Sequence, residues 1–337
     1  MDLQLQRFSD IDLNDSFFDS LRVSYPEFNE WYNKKATAGA TAYCYYVDNE
    51  LKDFLYLKIE EEELSDLTPV LPAKKRLKVG TLKVDNEDRH TTRGERFMKK
   101  IMDKAIAEDV DEIYVTMFPT EELQGLIRMF EKFGFYHIAD KPHEGGNAEY
   151  VLIKDMTTHI DDFKLDYPFV KKASSNKYVL SIVPEFHTHL FPDSILKNEK
   201  KYDLIQDVSE TNSIYKIYLC WMQGTRNLKA GDKLIIYRTS DEEGKAYYRS
   251  VCTSVCTVCE VKTYRDFENE EEFIKYTNRY SVFKEHELRR WYKYKNNFIV
   301  IKMVYNIAFT KKVISPDRIG QMSVSSAQSA CQKKLAW

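Results

Sequence analysis

The sequence has no apolar run approaching the ~18–20 residues a membrane-crossing helix needs, which argues against a helical membrane protein. It opens on Met1-Asp2-Leu3-Gln4, without a basic segment leading into an apolar one, so no secretory leader is expected. Its 6 cysteines follow no dense small-domain spacing, and a chain of 337 residues needs no disulfide staples. The thiols are therefore expected to be reduced and the compartment cytoplasmic. There is no internal repeat and no low-complexity tract. What remains is 43% hydrophobic, 31% charged and 14% aromatic, the make-up of a soluble globular protein. Single cores stop growing at roughly 250–300 residues, so two domains are expected.

Charge is divided unevenly between the halves. Residues 1–155 carry 21 Lys and Arg against 31 Asp and Glu, a balance of -10. Residues 156–337 carry 29 against 22, a balance of +7. The asymmetry reads either as different partners for the two halves or as scattered surface charge.

The first half alternates strand and helix signals. Thr41 to Val47, Phe54 to Ile59, Leu77 to Val84, Glu112 to Phe118, Phe135 to Ile138 and Tyr150 to Ile153 are rich in strand formers. A helix is expected from Gly94 to Glu108, with Phe97, Met98, Ile101, Met102 and Ala105 at helical spacing. A second follows Thr120, with Leu123, Leu126, Ile127 and Phe130 inward, and Gly134 ends it. Residues 156–176 read as a linker. Beyond it, strands are expected at Tyr178 to Val183, Ile214 to Trp221, Lys233 to Tyr237, Tyr247 to Glu260 and Phe298 to Phe309. Two short helices are expected at Glu270 to Tyr276 and Lys284 to Tyr292. The tail at 321–337 has no pattern.

The most specific stretch runs from Val84 to Met98 and links a strand to an amphipathic helix. The first N–H groups of a helix lack internal partners and carry the positive end of its dipole, so a loop wrapping onto them suits an anion. Arg89, Arg93 and Arg96 add charge there, and Gly94 lets backbone approach a phosphate. The stretch resembles the pyrophosphate loop of the GNAT superfamily of N-acetyltransferases, Q/R-x-x-G-x-G/A. Arg89 and Gly94 match, and Thr92 replaces the first glycine. Phe130-Glu131-Lys132-Phe133-Gly134-Phe135 resembles that superfamily's Y-E-K-x-G-F segment. The resemblance implies that residues 1–155 form an α+β domain, a mixed sheet with flanking helices. It also implies acetyl-CoA, or another acyl-CoA, as cofactor and an amine as acceptor. Leu82, Val84, Arg89, His90, Thr91, Thr92, Arg93, Gly94, Glu95 and Arg96 would hold the cofactor. Two departures matter: Phe130 stands where a proton-donating Tyr is usual, and Leu123 where Asn is frequent. No strand carboxylate lies within Leu77 to Val84. Glu121 and Glu122 read as a possible base or, more simply, as helix-start acids. No catalytic residue is assigned. The alternative reading is a non-catalytic CoA- or nucleic-acid-binding protein with a degenerate GNAT fold.

Residues 177–320 resemble the PUA-like group, its ASCH and EVE members in particular. Tyr178 to Pro184, Ile214 to Trp221 and Leu228-Lys229-Ala230-Gly231-Asp232 leading into Lys233 to Thr239 carry the likeness. The resemblance implies a small β-barrel with short helices that binds RNA, within a ribonucleoprotein or free, or a small ligand. Trp221, Tyr237, Tyr247 and Tyr248 would stack bases, and Arg226, Lys229, Arg238 and Arg249 would meet phosphates. The competing reading makes Trp221 and Tyr237 barrel core and the basic residues solvated surface. Cys252, Cys256 and Cys259 lie in a strand with no fourth ligand near, and His187-x-His189 in an extended segment lacks a third, so no metal is expected.

Overall fold

The protein is described by a computed structural model covering residues 3–85, 92–143, 146–170, 176–194, 213–240, 250–294 and 297–314. The chain divides into two compact units, Met1–Ile160 and Asp161–Trp337. None of the described helices is long and apolar enough to cross a membrane.

The first unit is a seven-stranded mixed sheet in the order β1-β2-β3-β4-β5-β7-β6. β1 (Gln4–Arg7) leads into two helices, α1 (Asp19–Ser24) and α2 (Phe28–Thr37). The sequence reading left these unassigned, although Phe28, Trp31 and Tyr32 fall at helical spacing. β2 (Thr41–Val47) and β3 (Glu50–Glu60) form a hairpin whose turn residues, Asp48 and Asn49, both have positive φ, 51° and 67°. Asp and Asn tolerate that conformation because their short side chains bond locally. Phe8, Phe18, Phe28, Tyr32 and Phe54 pack into an aromatic core against this hairpin.

β4 (Arg76–Val84) runs antiparallel to β3, and α3 (Arg93–Ala107) carries the chain to β5 (Glu112–Met117), which is parallel to β4. A parallel pair needs such a crossover. Phe97, Met98, Ile101, Met102 and Ala105 are the buried stripe of α3, as the periodicity predicts. Each large apolar side chain in that stripe contributes about 1.5–3 kcal/mol by leaving water. α4 (Gln124–Lys132) buries Ile127 and Phe130. It ends at Gly134, whose φ of 86° is the left-handed conformation that glycine adopts without steric cost. β6 (Tyr136–Pro142) and β7 (Ala148–Asp155) close the sheet, with β7 antiparallel to β5.

The second unit holds a five-stranded sheet, β8-β10-β11-β12-β9. The strands are β8 (Lys177–Ile182), β9 (Tyr215–Cys220), β10 (Lys233–Arg238), β11 (Val251–Thr263) and β12 (Ile299–Ile314). Three register shifts interrupt the β11–β12 ladder, and bulges of this kind bend and twist a long ribbon. Among the described residues β8 and β9 remain edges, so backbone pairing does not close the ring. Leu180, Ile182, Leu234, Ile236, Cys256 and Met303 form one core. A separate core gathers Phe267, Phe273, Leu288, Trp291 and Phe298 around α6 (Glu270–Thr277) and α7 (Glu285–Tyr294).

His187 and His189 are not in extended chain. They lie in α5 (Pro184–Leu190), started by Pro184, whose fixed φ suits the first helical position. Two residues apart on a helix, they point in nearly opposite directions. His187 is fully buried with Nε2 2.8 Å from Thr253 Oγ1, whereas His189 Nδ1 meets the Glu185 carbonyl. They cannot share a metal. Burial pushes the thiols of Cys252 and Cys259 up to about 12, and that of Cys256 higher still, which opposes the thiolate form a metal would need.

Candidate functional site

The first unit opens where its two parallel strands separate. β4 and β5 pair over four positions, Arg76↔Glu112 to Val79↔Val115, and then diverge. Past that point β4 stays with β3 as far as Val84↔Asp53, and β5 stays with β7 as far as Met117↔Tyr150. The edge of β4 from Gly80 to Val84 that faces β5 therefore has no strand neighbour among the described residues. A cleft of about 1800 Å³ occupies the gap. Leu82 and Val84 line it from β4, Gly94 and Glu95 from α3, and Val115 to Phe118 along β5 and just past its end.

The start of α3 opens onto this cleft. Thr92 precedes the helix, and its own side chain makes no cap hydrogen bond. Gly94 has a second reason to be glycine. A Cβ there would sit 2.7 Å from Met129 Sδ, so it also permits close approach of α3 to α4. Arg93 and Arg96 depart from the sequence reading. The Arg93 guanidinium lies 4.6 Å from the Tyr45 ring and 3.6 Å from the buried Asp53 carboxylate. Arg96 is 4% exposed and 5.5 Å from the same ring. Neither lines the cleft. Both pin the start of α3 to β2 and β3, because a buried carboxylate and an aromatic face attract a guanidinium more strongly than solvent does. Thr92 is buried too. Arg89, His90 and Thr91 lie outside the described residues.

Phe130 is core. It is fully buried, with its ring 4.8 Å from Phe135 at 80°, and it does not line the cleft. Phe130→Tyr is therefore expected to bury a hydroxyl without a partner and to cost about 1–3 kcal/mol in thermal unfolding. An unchanged melting temperature would show that the hydroxyl finds a partner. Glu121 and Glu122 are exposed in a single turn before α4; Glu122 and Leu123 line the cleft and Glu121 does not.

The sequence reading missed a polar cluster on the same cleft. Tyr25 Oη donates to Glu149 Oε1 at 2.7 Å, and His143 Nε2 lies 3.0 Å from Glu149 Oε2. The Glu149 side chain is 4% exposed and that of His143 31%. Phe118 braces the cluster, its ring 5.9 Å from Tyr25 and 5.2 Å from His143. Burial, then the bond to Glu149, push the Tyr25 phenol far above its ordinary value, so Tyr25 stays a donor. One signal was available: Glu149 falls in phase with Val151 and Ile153 on β7, at a position where alternation calls for an apolar residue.

A second cluster surrounds Glu60. Tyr114 Oη donates to one oxygen, while Lys58 Nζ at 2.9 Å and Lys78 Nζ at 3.7 Å approach the other. Burial raises the Glu60 carboxyl, but the hydrogen bonds from Tyr114 and Lys58 outweigh it and hold the group below its usual range.

In the second unit Trp221 is neither core nor solitary. It is 47% exposed and stacks on Trp291, with centroids 4.1 Å apart and planes 11° apart. Arg226 and Lys229 are exposed just after it, and Tyr237 is half-buried. Arg238 is 2% exposed and donates to the Thr239 carbonyl, so it is not the surface residue expected. Arg249, Tyr247 and Tyr248 lie outside the described residues. No group of metal-ligating side chains occurs among the described residues.

No protein-family model matches the chain, and no curated protein matches it in sequence. Solved structures do match it. One is a GNAT family acetyltransferase from Elizabethkingia anophelis with acetyl-CoA bound, at 12% identity over 45% of this chain and 97% of that one, TM-score 0.32. Another is the PaiA N-acetyltransferase from Thermoplasma acidophilum in complex with coenzyme A, at 12% identity over 46% and 99%, TM-score 0.31. A third is an aminoglycoside 6′-N-acetyltransferase complexed with coenzyme A, at 14% identity over 47% and 100%, TM-score 0.32. The chain is thus similar, over just under half its length, to three acetyltransferases solved with coenzyme A or its acetyl ester.

Proposed function

We propose that the first unit is an acyl-CoA-dependent N-acyltransferase of the GNAT kind, acting on an amine in the cytoplasm. One juxtaposition carries the reading: two parallel strands diverge past Val79 and Val115, and the start of α3, at Gly94 and Glu95, faces the same cleft. The residues present fit acetyl-CoA. The free edge of β4 at Gly80 to Val84 offers backbone groups to an amide-bearing arm, as an added strand would. The first turn of α3, with Gly94, offers N–H groups to phosphates. Acetyl-CoA, when bound, supplies the thioester that activates the acyl group.

The chain's own residues handle the acceptor. With Nε2–H donated to Glu149, His143 keeps Nδ1 as the proton acceptor, and its partial exposure places it at the cleft. Glu149 orients the ring and stabilises the imidazolium that forms. Tyr25 holds the carboxylate from the other side. A bound acyl-CoA would supply the acyl carbonyl to the deprotonated amine; as the amide formed, the C–S bond would break and coenzyme A would leave as the thiol, taking up the proton that His143 had held. Titrating acetyl-CoA into the full chain by calorimetry tests the first step, and thiol release with a panel of amines tests the second. Binding without release would support the non-catalytic alternative, which the burial of Phe130 favours. Absence of binding would remove the cofactor assignment.

For the second unit we propose a PUA-like module that binds RNA. The support is the exposed, stacked Trp221 beside exposed Arg226 and Lys229, together with the +7 balance of residues 156–337. Base–aromatic stacking is worth about 1–3 kcal/mol per base, so Trp221→Ala should weaken binding by that amount. Because the ring is half exposed, the melting temperature should move little. Log affinity for single strands should fall with log salt by about 0.7 per phosphate contact. No binding at low salt across varied RNA pools would sink this proposal.

A further inference from the structure

At the cleft, beside Glu60, three elements converge with ammonium groups. Lys58 on β3 and Lys78 on β4 are register partners in the antiparallel ladder. Like charges directly opposite one another destabilise a sheet unless an anion lies between them. Glu60 takes that place, but it is fully committed: Tyr114 donates to one oxygen and the two lysines share the other. Lys35 then enters from α2. Its Nζ lies 5.4 Å from the Tyr56 ring and 6.0 Å from Trp31, and no carboxylate is within ion-pair distance among the described residues. Lys35, Lys58 and Lys78 all line the cleft.

Of the other acids nearby, Glu62 is close enough to Lys58 to favour its charge, and the next two are held by other groups. Asp66 meets Lys141 at 3.1 Å, and Glu149 meets Tyr25 and His143. Three ammonium groups thus gather about Glu60 on one wall of the cleft, where field lines concentrate. Burial lowers Lys35 and Lys78 from their ordinary values, which means the folded chain bears a cost to keep them charged. A chain that tolerates such a cost at the wall of this cleft has placed the charge where a ligand can use it. The Trp31 and Tyr56 rings flank the part-buried Lys35 and shield it in part from water, which strengthens an ion pair formed there.

We propose that the acceptor amine carries a carboxylate, and that Lys35, together with Lys58 and Lys78, seats it. This deepens the acyl-transfer reading and rests on it only for the word acceptor; the anion seat itself does not depend on acetyl-CoA.

The test uses the full chain. β-Alanine, γ-aminobutyrate and δ-aminovalerate are each compared with their amides as acceptors, by thiol release from acetyl-CoA. Glutarate and glutaramide are titrated separately by calorimetry without acetyl-CoA. At least one acid should exceed its amide in kcat/KM by about tenfold or more, the worth of a charge-assisted hydrogen bond. Glutarate should bind and glutaramide should not. Lys35→Gln should bring the acid-to-amide ratio toward one and weaken glutarate by about tenfold, and Lys35→Arg should restore both. Thermal melts check that Lys35→Gln is folded. A pair of short peptides differing only by Glu or Gln next to the amine tells whether the carboxylate belongs to a small acid or to a chain. Glutarate binding that depends on Lys35, without turnover of any amine, would leave the anion seat standing and remove the transfer reading. Turnover that favours the amides, or glutarate that fails to bind, would overturn the anion seat and leave acyl transfer intact.

Discussion

Gly94→Glu should abolish acetyl-CoA binding, with affinity falling by about a hundredfold or more. Two effects add in that substitution. The new carboxylate stands in the first turn of α3, where the proposed phosphates would lie, and two like charges about 4 Å apart repel by roughly 4 kcal/mol at a surface-like dielectric. The added side chain also meets Met129 Sδ, 2.7 Å from where its Cβ must go. Gly94→Ala separates the two, since it brings the contact without the charge, and the end of a methionine side chain moves cheaply. The alanine variant should therefore lose far less affinity than the glutamate variant in calorimetric titration. Equal losses would assign the effect to helix packing, and equal affinity in the wild type and Gly94→Glu would move the phosphates elsewhere.

His143→Ala should lower kcat by about a hundredfold to ten-thousandfold, the range a positioned proton acceptor contributes. Free imidazole in the buffer should restore part of the rate, because it supplies the missing base. Glu149→Gln keeps the shape of the cluster and removes its charge. It should lower kcat with little change in the KM for acetyl-CoA, since β7 and the start of α3 are separate parts of the cleft wall. Rescue by imidazole in His143→Ala but not in Glu149→Gln would separate the base from the residue that positions it. A kcat within about twofold of the wild type in His143→Ala, with the fold intact, would remove His143 from the chemistry.

Local pattern determined a good deal by itself. The stripe Phe97, Met98, Ile101, Met102 and Ala105 has one helical solution, and the observed α3 buries that face. Asp48 and Asn49 suit a turn by residue type, since few other residue pairs accept two positive φ values, and the hairpin turns there. Most of the strands follow from runs of β-branched and aromatic residues. Local pattern failed where two rules compete over a few residues. Pro184 forbids little and starts a helix well, so His187 and His189 became helical while their alternation read as extended.

What only tertiary structure decided is direction and company. Arg93 and Arg96 sit beside a phosphate-loop motif, yet their side chains turn to Tyr45 and Asp53, which lie 40 or more positions away in the chain. A buried carboxylate at 1% exposure outcompetes a solvated loop for a guanidinium, and nothing near Arg93 in sequence announces it. The cluster of Tyr25, His143 and Glu149 joins groups 124 residues apart, and Lys35 reaches the cleft wall that holds Lys58 and Lys78 only because α2 packs against β3. Periodicity reports which face of an element is apolar; it does not say which faces meet. Burial and charge pairing act between elements once they are packed, so the groups that define this cleft become neighbours only in the folded chain.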